Sequence, residues 1–285
     1  MISAPAAGQA QLSVSDVFAH WLQAAGIRHV FSLPGGMIAP LLDAIHRSAA
    51  AELITMHHEQ GVAFAVDGYG RFQGTPAVGL STAGPGATNM LTGIASSYLD
   101  SVPGVFVTGQ VQSYLLKGDR PVRQFGFQEC DIGAIAGSVV KGVWQVRASS
   151  DIPQALDEAL AVATTGRPGP VLVEIPSDVQ TMPLPDTRVD PPEVEAPAPA
   201  DPAAVDAVLD KLATAQRPLI LVGGGVQAAR AAEPCLALAE ALGVPVAASV
   251  MALDVVPAGH PLRLGMIGMY GNRWVNVGID QSDVV

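Results

Sequence analysis

A parallel α/β architecture, with a doubly wound sheet followed by a second, incomplete Rossmann-like domain, is the fold class that the 285-residue sequence predicts. Three observations carry that expectation. Short runs such as "PAVGLS", "GVFVTG" and "GPVLVEIP" are apolar almost end to end, as strands buried on both faces are. Helical patterns alternate with them, and glycine or proline punctuates the junctions. With 49% hydrophobic and only 14% charged residues, the chain can bury a sizeable core and probable disorder is not the expectation.

The elements follow in order. Ser13 or Ser15 can cap a first helix that carries Val17, Phe18, Trp21 and Leu22 and stops near Gly26. "HVFSL" reads as a strand, Pro34, Gly35 and Gly36 as a turn, and Leu41, Leu42 and Ile45 mark a helix before the strand "ELITM". In "HHEQGVAFAVDGYGR", residues 57–71, steps of three and four align Glu59 with Ala63, Val66 and Gly70. A carboxylate thus opens a stripe of small apolar residues. Either the acid occupies the first turn because the helix dipole favours it there, or it has a partner that the stripe alone does not reveal. His57 and His58 are adjacent, point in different directions and make no metal site.

"STAGPGATN", residues 81–89, follows a strand and opens a helix near 88–98. Its glycines let backbone approach a ligand closely, and Thr88 or Asn89 can serve as a cap, but such turns are common in general. Another helix is expected near 151–164. Residues 1–182 therefore form one doubly wound domain.

Seven prolines fall between Pro183 and Pro202, in a stretch without helical or strand period, so residues 183–202 read as an extended linker. Residues 203–285 return to the α/β pattern: "ADPAAVDAVLDKLATA" and "AAEPCLALAEALGV" are helical, "PLILVGGGV" and "PVAASV" contain strands. "SDVV" reads as the opening of another buried strand, which predicts either further sequence or a second chain to complete the sheet.

Charge narrows the partners. A net charge of -11 and a pI near 4.8 disfavour nucleic acid and anionic lipid surfaces. The N-terminus lacks the pattern of a secretory signal and no segment approaches the ~20 apolar residues of a membrane span, so a cytoplasmic location is expected. Cys130 and Cys235 stand far apart without a metal-ligand spacing, and are expected to be reduced, buried small hydrophobes.

Taken in order, "LPGG", "HHEQGVAFAVDGYGR", "STAGPGATNMLTGIASSYLDSVPGVFVTGQV", "FGFQE" and "RPGPVLVEIPSDV" resemble the thiamine-diphosphate enzymes of the acetolactate synthase family. The resemblance covers nearly the whole chain, as the pyrimidine-binding domain and the first part of the central domain. It implies that Glu59 meets the N1' nitrogen of the cofactor's aminopyrimidine, that Pro85 and Asn89 line the same site, and that Gly35 and Gly36 belong to a loop covering it. It also implies that Gln128, Phe127 and Gln110 lie on the substrate side. A structural role in turns or subunit contacts is the competing reading for each of these lining residues. The implied chemistry is decarboxylation of a small 2-oxo acid followed by capture of the product by an aldehyde, a second 2-oxo acid or a proton.

Several features depart from the synthases. Leu33 replaces a tyrosine, Ser177 replaces a lysine, and "QSYLLKGDRPVRQFG" is longer than its usual equivalent. Lys117, Arg120 and Arg123 there can receive an anionic substrate or simply stand in a solvated loop. No GDG motif occurs, so the Mg2+ that holds the diphosphate is expected to be bound outside this chain, by a homo- or hetero-oligomeric partner or by further sequence. "LVGGGV", "SVMALD" and "GMIGMYG" resemble segments that bind flavin in synthases and ADP or nothing in relatives; a structural turn is the favoured reading and FAD is not expected. The alternative to an enzyme is a non-catalytic scaffold that keeps the fold; a nucleotide-binding oxidoreductase rests on the glycine run alone.

Overall fold

The computed structural model describes residues 11–184 and 199–285. Contacts divide the chain into two compact units, Met1–Ala196 and Pro197–Val285. Most of the proline-rich linker lies outside the described residues, although Pro183 pairs with Ser13 and a helix begins at Pro202.

Six strands build the first unit: β1 (His29–Ser32), β2 (Glu52–Thr55), β3 (Val78–Ser81), β4 (Gly104–Gln110), β5 (Val143–Gln145) and β6 (Pro170–Pro176). They form one sheet in the order β2-β1-β3-β4-β6-β5, every pairing parallel. Central β4 and β6 are buried along their whole length, which is why their sequences are uninterrupted apolar runs. The chain runs from β1 outward to β2 and then returns to the other side of β1 as β3. That reversal opens a crevice at the carboxyl ends of β1 and β3, where ligands of doubly wound sheets bind.

Helices cover both faces: α1 (Val14–Ala24), α2 (Ala39–Ser48), α3 (Glu59–Gln73), α4 (Pro85–Asn89), α5 (Leu91–Leu99), α6 (Ile132–Ala136) and α7 (Ile152–Thr164). Ser13, not Ser15, caps α1, in a reciprocal box with Asp16. Ser15 is buried and donates its hydroxyl to the Gln180 carbonyl instead. Burial tends to raise the Asp16 carboxyl, but hydrogen bonds from Ser13 and Arg47 outweigh it and leave the group below its ordinary range. One core cluster packs α1, α2 and α7 against one face of the sheet, with Phe18, Trp21 and Leu22 fully inside. The other lies under α3, α5 and α6 and includes Val62, Ala63, Val66, Ile94 and Phe106.

The small residues of α3 have a steric cause. A Cβ on Gly93 of α5 would stand 2.5 Å from the Ala63 Cβ, and one on Gly70 would stand 2.7 Å from the Pro103 carbonyl oxygen. The two helices approach at main-chain distance. Asp67, which shares the buried face, is held by Arg71 Nε at 2.7 Å and by the Ser97 hydroxyl at 2.9 Å, while Arg71 also reaches Asp100 at 2.6 Å. This network ties α3 to α5 and to the chain beyond it, and it satisfies an acid that desolvation would otherwise disfavour.

In the second unit, β7 (Ile220–Val222), β8 (Val246–Ala248) and β9 (Arg263–Met266) form a parallel three-stranded sheet with α8 (Pro202–Thr214), α9 (Gly224–Ala228), α10 (Ala232–Leu242) and α11 (Arg273–Asp280). The glycine run after β7 serves as the start of α9. Val284 forms an isolated parallel bridge with Pro218, just before β7. Two details correct the sequence reading. Cys130 and Cys235 are only half-buried. The helix expected near 88–98 is two helices that meet at Met90, and the first begins earlier, with Gly84 at the cap and Pro85 at its first position.

Gly93→Ala should force α3 and α5 apart. We expect a loss of about 1–3 kcal/mol in unfolding free energy, read by urea denaturation, with the secondary structure unchanged.

Candidate active site

Apart from Gln110, the last residue of β4, the candidate ligands project from segments that follow strands of the first sheet. Gly35 and Gly36 follow β1, Glu59 follows β2, Pro85 and Asn89 follow β3, and Phe127 and Gln128 follow β4. They therefore share the carboxyl edge. His58 caps α3 by accepting a hydrogen bond from the Gln60 N–H at Nδ1, so Glu59 falls on the first turn with its side chain turned inward.

Glu59 is 8% exposed, and its Oε2 accepts a hydrogen bond from Asn89 Nδ2 at 2.9 Å. Neither Thr88 nor Asn89 caps the helix, as the sequence alone allowed. Thr88 instead donates its hydroxyl to the Pro85 carbonyl, and Asn89 directs its amide to the acid on the neighbouring helix. Glu59 Oε1 receives no hydrogen bond from the described residues, and the site of an absent Cβ on Gly86 lies 3.3 Å from it. The carboxylate thus keeps one acceptor oxygen without a protein donor, next to Gly86, whose missing side chain makes space for Thr82 and Ser81.

Glycines also bring the surrounding turns together. A Cβ on Gly35 would lie 2.6 Å from the Thr82 Cβ, so the loops after β1 and β3 touch at the crevice. Gly36, by contrast, faces open space. Gly84 has φ +62, and a Cβ there would lie 2.6 Å from the Gln128 carbonyl oxygen. The turn carrying Gln128 is consequently pressed onto the start of α4. Gln128 itself has φ 64, the left-handed region, and its side-chain amide makes no hydrogen bond among the described residues. Phe127 is 76% exposed.

Two polar side chains near the site are engaged within the protein. Gln110, expected on the substrate side, is 2% exposed and spends its whole amide inside the protein. Its Nε2 donates to Glu174 and to the Cys130 carbonyl, each at 2.9 Å, and its Oε1 accepts from the Val111 N–H. Arg120 is not free for an anionic substrate either. Its guanidinium donates to the carbonyls of Leu116 and Lys117 and stacks over the Phe125 ring at 4.4 Å, which folds its own loop.

Sequence reasoning missed Glu174, Asp67 and Glu129 as organising acids. Glu174 hides within the apolar run of β6, where it faces Gln110 of β4, Gln145 of β5 and Arg147. Burial pushes its carboxyl above the ordinary range, against the opposing influence of Gln110 and Arg147. Burial likewise pushes the Cys130 thiol up, with Asp131 and Glu174 adding to it, so this thiol is a poor source of thiolate. Among the described residues no cluster of histidine, cysteine or carboxylate side chains could hold a metal ion. No described helix is long and apolar enough to cross a membrane.

A doubly wound parallel domain with a largely buried carboxylate and glycine-lined turns at its switch point defines a small-molecule-binding α/β protein. Its relationships make that class specific. Residues 12–135 match the profile of the thiamine pyrophosphate enzymes' N-terminal TPP binding domain, and residues 205–285 match the central domain of the same enzymes. The chain belongs to the thiamine pyrophosphate enzyme family. It is 38% identical over 271 residues to a probable acetolactate synthase large subunit of Methanocaldococcus jannaschii, covering 93% of this chain and 44% of that protein. It is 42% identical over 261 residues to the acetolactate synthase large subunit of Corynebacterium glutamicum, covering 90% and 40%. With the acetolactate synthase isozyme 1 large subunit of Escherichia coli it shares 37% over 282 residues, covering 95% and 47%. The chain spans less than half the length of these relatives.

The raised Glu174 carboxyl sets a pH dependence. The folded state holds this proton to a higher pH than the unfolded chain does, so the group's contribution to stability declines as pH rises from the ordinary carboxylate range through the folded value. Glu174→Gln should remove that decline: its gain in Tm over the unmutated chain should be larger at pH 8 than at pH 4, measured by thermal unfolding across pH.

Proposed function

We propose that this chain supplies the pyrimidine-activating side of a thiamine-diphosphate-dependent enzyme, similar to acetolactate synthase, that decarboxylates a small 2-oxo acid and forms a carbon-carbon bond. The observation that carries the proposal is Glu59: a largely buried carboxylate with one oxygen engaged by Asn89 and the other left as an unused acceptor. That arrangement fits the aminopyrimidine of thiamine diphosphate, whose N1' nitrogen can share a proton with an acid. Gly36, which faces open space, would let a flat heterocycle come close to backbone.

When bound, the thiazolium ring supplies the electron sink for loss of carbon dioxide. The chain's own residues act around it. Glu59 would exchange a proton with the aminopyrimidine at Oε1, the oxygen that Asn89 does not engage. Asn89 fixes the acid by its second oxygen, so that the free one keeps its direction. Pro85 and Gly84 fix the start of α4, and they would help hold the pyrimidine together with the loop of Gly35 and Gly36. Gln128, whose side-chain amide has no hydrogen bond among the described residues, and exposed Phe127 would meet the 2-oxo acid. Gln110 acts one step back, through Cys130.

We assign the diphosphate and its Mg2+ to residues outside the described ones, in a homo- or hetero-oligomeric assembly, and place the protein in the cytoplasm. The intact set of Glu59, Pro85 and Asn89 speaks against a scaffold without turnover. In the complete assembly, Glu59→Gln should leave the fold intact and slow hydrogen-deuterium exchange at C2 of bound thiamine diphosphate by about 10²-fold or more, the scale of a lost general acid or base. The proton NMR readout decides: an unchanged exchange rate removes Glu59 from the mechanism.

A further inference from the structure

Gln128 adopts a backbone conformation that its residue type disfavours. The Glu129 N–H donates to the Gly126 carbonyl at 3.2 Å, which closes a turn with Phe127 and Gln128 at its centre. The second central position of such a turn has positive φ and is usually glycine or asparagine. Gln128 occupies it at φ 64, a strained arrangement that surrounding contacts must hold in place.

The contacts come from both sides of the turn. On one side, the Gln110 amide grips the Cys130 carbonyl and is itself anchored to buried Glu174. On the other, the Glu129 carboxylate collects backbone N–H groups of the long segment after β4. Oε1 accepts from Lys117 at 2.5 Å, and Oε2 accepts from Phe125 at 2.7 Å and, at 3.4 Å, from Gly126. Hydrogen bonds to an ionised acceptor are about twice as strong as neutral ones. The same segment is pinned against β4 at Gly126, where a Cβ would lie 2.8 Å from Val111 Cγ1. The segment is thereby gathered around the acid next to Gln128 in sequence.

We propose that Glu129 is a positioning residue for the reaction: by binding the amides of Lys117 and Phe125 it couples the long segment after β4 to the strained turn, and so holds the Gln128 side chain toward the 2-oxo acid. Glu129 touches neither cofactor nor substrate. The proposal rests on the thiamine-diphosphate reading above. It adds that the unusual length of this segment is used to fix the substrate side of the site, independently of Glu59.

Glu129→Gln tests it in the full-length protein with whatever partner its turnover requires. A glutamine can turn only one oxygen to these N–H groups and sets its own NH2 against the rest. Amide hydrogen exchange at Lys117, Phe125 and Gly126 should accelerate about tenfold, while the amides of α3 and β4 keep their protection. With pyruvate as the probe 2-oxo acid, KM should rise about tenfold with a smaller change in kcat, and C2 exchange of the bound cofactor should stay within about twofold of the unmutated protein. Glu129→Asp, which keeps the charge on a shorter arm, should recover part of both the protection and the KM. Unchanged amide exchange would overturn the proposal, as would a loosened segment with unchanged KM. A fall in C2 exchange equal to the fall in turnover would place the effect at the cofactor and overturn it as well. Absence of C2 exchange in the unmutated assembly would instead overturn the thiamine reading, and this inference with it.

Discussion

The hydrogen bond from Asn89 to Glu59 joins the start of α3 to the end of α4 and gives the crevice its chemistry. An acid this far from water needs a partner, yet one saturated by partners has nothing left to offer a ligand. A single side-chain amide resolves the conflict because it satisfies one carboxylate oxygen and leaves the other. The rest of the first unit serves to place those two helices: the sheet reversal opens the crevice, and glycines at positions 35, 84 and 86 let three turns converge on it.

A second layer of polar contacts lies behind this one. Gln110, Glu174 and Cys130 link β4 and β6 to the turn of Gln128, and Arg147 and Gln145 extend the link toward β5. These groups sit at the carboxyl ends of strands whose sequences are otherwise apolar, where burial makes each hydrogen bond harder to lose. The crevice is therefore braced from the sheet below as well as from the helices beside it.

The sequence made the broad architecture legible because uninterrupted apolar strands and glycine punctuation are local signals with a direct physical meaning. The inward turn of Glu59 was legible too, from its alignment with Ala63, Val66 and Gly70. Pairwise contacts between distant segments were not. Nothing near Gln110 announces that its amide would be consumed by Glu174, which is 64 residues away in the chain, and nothing near Asn89 reveals a preference for Glu59 over its own helix cap. The role of Arg120 stayed open between an anion contact and a solvated loop because its use lies in local carbonyls and the ring of Phe125, geometry that charge counting does not contain. The half-burial of both cysteines follows from loop and helix placement that residue type cannot supply.

The contact of Gly93 with Ala63 carries a mechanical implication. Where larger side chains separate two helices, rotamer changes can adjust their spacing; here there is no such cushion, and the spacing is set by the polypeptide itself. The spacing of α3 from α5 is thus a property of the backbone, while α3 rests on the sheet through the side chains of Val62 and Val66. A side chain lost from that core leaves the two helices gripping each other, so the acid at the head of α3 keeps its bearing on α5.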